Sequence, residues 1–107
     1  MRARVLAVAL GLGGVGCVSV PHPTEASASR IRAVWPHATV TSLEAGRTLL
    51  LHHCASCHAL QTPDHRTGDE WRAALDRMAR EANLSAANAE LVLAFLTSAA
   101  KRDPRVP

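Results

Sequence analysis

The 107-residue chain has no tyrosine, one phenylalanine (Phe95) and two tryptophans, Trp35 and Trp71. A core drawn mainly from Ala, Leu and Val with so few aromatics is small, and chains of this length often need a staple or a cofactor to complete it. Lysine and arginine lack any concentrated patch. They number 12 against 9 Asp and Glu, a net charge of +3. Without Arg2 and Arg4, which stand in an N-terminal segment expected to be removed, the excess falls to one. That excludes the concentrated basic footprint nucleic acid binding requires. The apolar run from Val5 to Gly16 is too short to span a bilayer as a mature helix. Cysteine is scarce as well, at three residues: Cys17, Cys54 and Cys57.

Two of these cysteines carry the most informative pattern, Cys54-Ala55-Ser56-Cys57-His58. Cys-x-x-Cys-His is the spacing of c-type haem attachment. Each thiol can add to one haem vinyl group, and the adjacent imidazole can turn onto the iron. Two other meanings stay open. A structural zinc site needs four ligands, usually with a second Cys or His pair. No second Cys-x-x-Cys exists, and His52 and His53 are not at finger spacing. A thioredoxin-like redox pair needs a strand–helix setting, and no strand-rich region flanks this one.

The third cysteine needs its own reason in an exported chain. Met1-Arg2-Ala3-Arg4 is a basic start, and Val5 to Gly16 has the length of a signal-peptide apolar region. Gly16 leads directly into Cys17, which resembles a bacterial lipoprotein signal with Cys17 as the lipidated residue, although Gly14 stands where a large aliphatic is usual. By that resemblance, Val18 after the cysteine favours the outer membrane. Ala26-Ser27-Ala28 offers ordinary signal peptidase an alternative site, leaving a soluble periplasmic protein, and an uncleaved anchor is the third option. Each version puts the domain outside the cytoplasm, where c-type haem is attached in bacteria. The expected organisation is a signal peptide over 1–16, a flexible tether over 17–40, a haem domain over 41–102 and a tail over 103–107. The tether is read from Pro21, Pro23 and Pro36 and the absence of a sustained period. Trp35 is expected there as a half-exposed linker residue, with folding back onto the domain as the alternative, and His22 and His37 as solvated ones.

Within the domain, Thr41-Ser42-Leu43-Glu44 reads as a capping box opening a helix to about His53, with Leu43, Gly46 and Leu50 on one face. Thr67-Gly68-Asp69-Glu70 is a second capping box. The helix that follows carries Trp71, Ala74, Leu75, Met78 and Ala82 as one apolar stripe and stops at Asn83. Ser85 caps a last helix, which Lys101, Arg102 and Pro104 bring to an end.

Gly46, Leu50 and the motif Cys54–His58 stand at the spacing found in class I cytochromes c, and residues 41 to 101 resemble that family. The resemblance implies a small all-α, three- to four-helix cytochrome c fold around one covalently attached haem c. It implies that Gly46 lets the first helix of the domain cross the last, with Phe95 packed nearby. It places Pro63 in a loop passing the proximal histidine, and His65 and Arg66 as exposed neighbours, one of which could approach a haem propionate. It also implies a sixth iron ligand downstream. Met78 is the one methionine left once Met1 is gone, and the stretch from Trp71 to Arg77-Met78 resembles small bacterial cytochromes and dehydrogenase-associated haem domains, in which the methionine of such a pair is the distal ligand. A methionine on an amphipathic stripe also serves as plain core packing, and a histidine ligand or an open site are the other possibilities.

The implied function is one-electron transfer between redox partner proteins, by a non-enzymatic carrier tethered through an N-terminal lipid at the periplasmic side of a membrane. The competing readings are a haem-based sensor or peroxidase-like protein with an open distal site, and a metal-binding or structural lipoprotein without haem.

Overall fold

A computed structural model describes residues 19–54 and 61–105. It contains four α-helices: α1 over Glu25–Ile31, α2 over Val40–Cys54, α3 over Gly68–Glu81 and α4 over Ala86–Ser98, with a single 3₁₀ turn at Pro63–His65. Among the described residues there is no strand, so the all-helical expectation holds. No described helix is long and apolar enough to cross a membrane.

The last helix is the centre. Val92, Leu93, Ala94, Phe95 and Leu96 are buried in succession, and a helix apolar all round is one surrounded by others. The other three helices each pack on it. Helix α2 crosses α4 closely at Gly46. A Cβ there would lie 2.1 Å from the Leu91 carbonyl oxygen and 3.0 Å from the Phe95 Cβ. Phe95 itself is buried at this crossing. The expected pairing of Gly46 with Phe95 is therefore present, and the cost of a mid-helix glycine is offset by backbone contact.

Helix boundaries follow local chemistry, with two corrections. For α3 the expected box forms: the Glu70 N–H donates to Thr67 Oγ1 (3.3 Å) and the Thr67 N–H to Glu70 Oε1 (3.0 Å). It ends as expected at Asn83, whose φ is +54°. The Asn83 and Leu84 amides donate to the Arg80 and Ala79 carbonyls, at 3.3 and 2.9 Å, which is the Schellman arrangement. Ser85 caps α4 by accepting from the Asn88 amide at 3.1 Å. The start of α2 differs. Its box is Thr39 with Ser42, each backbone N–H donating to the other's hydroxyl at 3.0 Å, and not Thr41 with Glu44. Glu44 accepts from His22 Nδ1 at 2.7 Å instead. The end of α4 differs too, coming at Ser98 before Lys101 and Arg102 are reached. Its terminal carbonyls are met from another helix: Arg30 of α1 donates to Ser98 O (3.3 Å) and Ala100 O (2.8 Å).

The expected tether is the larger correction, because residues 20–38 pack on the helices, with Val20, Ala28, Ile31 and Ala38 buried. Thr24 and Ser27 form a capping box that opens α1, and Ala28 and Ile31 are buried beneath it. Val20 is 3% exposed, and its carbonyl accepts two bonds from the Arg47 guanidinium, at 2.9 and 3.2 Å. A seven-residue helix is too short to display a stripe of its own. Its stability comes from tertiary packing, as is usual for short helices.

Candidate functional site

The second helix delivers Cys54 as its last residue, buried about one turn beyond Leu50 and three beyond Leu43 on the same stripe. His52 and His53 are exposed in its last turn, where the helix dipole favours a positive group. Cys57 and His58 lie outside the described residues, as does Cys17.

Downstream of the motif the chain is held by a cluster that the sequence did not disclose. Pro63 is buried, and its carbonyl accepts from the Trp71 indole N–H at 2.7 Å. Trp71 is itself 6% exposed, and a buried indole N–H usually finds such a partner. That need was the one available signal of a link between loop and helix. Arg66, expected to be exposed, is half-buried. Its guanidinium lies 5.4 Å from the Trp71 ring centroid, within cation–π range. Its Nε donates to Gln61 Oε1 at 3.2 Å, and its carbonyl accepts from the Lys101 amide at 2.9 Å. His65 is exposed as expected, with Nδ1 2.6 Å from Thr62 Oγ1. The Glu70 carboxylate, held by the Thr67 backbone N–H first and the Thr67 hydroxyl second, has its pKa lowered from the usual 4.5.

This cluster sets the start of α3, and α3 sets Met78. Gly68 sits against α4, where a Cβ would meet Thr97 Cγ2 at 2.9 Å. From there Trp71, Ala74 and Leu75 are buried at 6, 4 and 5% exposure, while Met78, next on the same stripe, is 37% exposed. The thioether therefore stands where the apolar stripe leaves the core, on a helix that packs on α4, as does α2, which carries Cys54.

Two residues of the expected tether also belong to the globule. The Trp35 indole N–H donates to Glu90 Oε2 at 3.2 Å, so this tryptophan folds back onto α4. His37 is exposed beside it. Together they border a mainly apolar groove of about 440 Å³ between the 34–38 segment and the start of α4.

No family model, curated protein or solved structure matches this chain. The chemistry of the residues themselves therefore carries the functional reading.

Proposed function

We propose that this chain is a one-electron carrier. It holds one haem c covalently through Cys54 and Cys57, with His58 and Met78 as axial ligands, and it is anchored by lipid on Cys17 at the periplasmic side of a bacterial membrane. The observation that carries the reading is the sequence Cys54-Ala55-Ser56-Cys57-His58 beginning on the last residue of α2. The donor set fits the group: two thiols three positions apart, an adjacent imidazole, and a partly exposed thioether ending an apolar stripe. When bound, haem supplies a one-electron couple whose potential the axial ligands and their surroundings tune.

The chain's own residues do the positioning. Cys54 is buried at the end of a helix braced against α4 at Gly46, so a group joined to it is fixed relative to the core. Trp71 ties the loop after the motif to α3 through Pro63, and α3 presents Met78. A bound haem held by both His58 and Met78 would leave its iron no position for a substrate, which supports a carrier over an enzyme. Redox proteins are the partners it implies. Burial of Ala28 inside α1 supports the Cys17 anchor over cleavage after Ala28, which would remove Val20 through Ala28 from the core.

The test is expression of the full chain in a host competent for export and cytochrome c maturation. Intact mass reports haem, lipid and cleavage site together. A haem stain that survives denaturation is expected, as is a near-infrared methionine-to-iron band that Met78→Ala abolishes while lowering the potential. A wild-type protein that lacks this band and binds carbon monoxide readily would overturn the carrier reading.

A further inference from the structure

We infer that residues 20–38 are a clasp that shortens the membrane anchor and turns the Glu44/Thr48 side of α2 toward the lipid surface. The inference rests on the proposed lipidation of Cys17. Four contacts hold the segment: the Arg47 guanidinium on Val20 O, His22 on Glu44, Arg30 on the end of α4, and the Trp35 indole on Glu90. Arg47 is half-buried and binds the carbonyl through two nitrogens, a charge-assisted and geometrically specific contact.

The consequence is one of length. A free chain over 17–40 would let the domain range on the order of 25 Å from its anchor. Pinned at Val20, it is separated from Cys17 by three Cα steps, a reach of at most about 11 Å. The direction follows from helix geometry. Thr48 lies one turn beyond Glu44 on the same side of α2, and it is exposed. Gly46, half a turn away, faces α4. Ala73 is exposed on the side of α3 opposite the buried Trp71, Ala74 and Leu75, and none of the four contacts that hold the clasp involves α3. Cys54 lies seven residues beyond Arg47, about 10 Å along the helix, so the clasp also sets how far the start of the haem motif stands from the bilayer.

The experiment uses the full, haem-loaded, lipidated chain on vesicles of phosphatidylethanolamine and phosphatidylglycerol. A photo-crosslinking residue at Thr48 is expected to capture lipid at least about tenfold more than one at Ala73, given an anchor that short. Trypsin is expected to cut after Arg30 and Arg32 about a hundredfold more slowly than in the urea-unfolded chain, because those bonds lie in packed structure. Arg47→Ala should raise cleavage at both sites and level the two crosslinking yields, with Arg47→Lys between, while the haem spectrum reports that each variant is folded. Equal lipid capture at Thr48 and Ala73 in the wild type, or cleavage after Arg30 and Arg32 at the unfolded rate, overturns the clasp. A chain whose mass carries no lipid overturns the membrane placement through the anchor reading instead, and the protease result identifies which of the two failed.

Discussion

Replacing Gly46 by Ala tests the centre of the fold with one methyl group. Helix propensity alone favours the change by about 1 kcal/mol. The structure opposes it. The new Cβ would lie 2.1 Å from the Leu91 carbonyl oxygen and 2.8 Å from its carbon, and these are backbone atoms with no rotamer to change. Relief requires α2 and α4 to part by roughly 1 Å, and a gap of that size forfeits a quarter to a half of each contact's attraction. Leu43, Leu50, Val92 and Phe95, all at most 3% exposed, pack along these two helices. Overpacking of this kind costs about 3 kcal/mol at the upper end, for a net loss of about 2 kcal/mol once propensity is credited. In a domain with about 5–10 kcal/mol of stability that lowers the melting temperature by about 10 °C. The assay is urea unfolding of the full chain followed by helical circular dichroism. Ala45→Gly on the exposed side of the same turn serves as control, with an expected cost of about 1 kcal/mol from propensity alone. A Gly46→Ala protein as stable as the wild type would refute the close crossing.

Trp71→Phe keeps most of the ring but leaves the buried Pro63 carbonyl without its donor, and should cost about 1–2 kcal/mol, with faster amide exchange over residues 61–66. Thr67→Ala removes the N-cap of α3 and should cost about 1 kcal/mol at neutral pH. The same cap lowers the Glu70 pKa below 4.5, so its contribution is present above pH 4.5 and is lost as pH falls through the lower folded value. Acid titration of stability should therefore be shallower just below pH 4.5 in both Thr67→Ala and Glu70→Gln than in the wild type. Arg30→Ala frees the Ser98 and Ala100 carbonyls and should cost about 1 kcal/mol, seen as fraying at the end of α4 by hydrogen exchange.

What could be read in the sequence was what neighbouring residues decide among themselves. The Thr67–Glu70 box, the left-handed Asn83 and the Ser85 cap are each complete within a few positions, and each formed where expected. Gly46 was legible for a different reason: a glycine in mid-helix is costly unless another backbone needs the space, while Phe95 beside it was expected only from the resemblance to class I cytochromes c. The Cys54–His58 pattern is local too, five residues whose spacing carries the proposed haem attachment. Other features depend on partners far along the chain, and those only the tertiary structure decided. The residues of α1 carry no stripe, because its stability comes from Arg30 reaching α4 and from Ala28 and Ile31 being covered. Glu44 fits a capping box in sequence, yet His22 claims it in space, and Ser42 serves the helix end. Trp71 was readable as a core residue, but not as the link between the loop after the motif and the helix of Met78. Short-range signals specify which helices form and where they stop. Which side chains they share, and how near the candidate anchor stands to the domain, are set by contacts that exist only once α1, α2 and α3 have closed on α4.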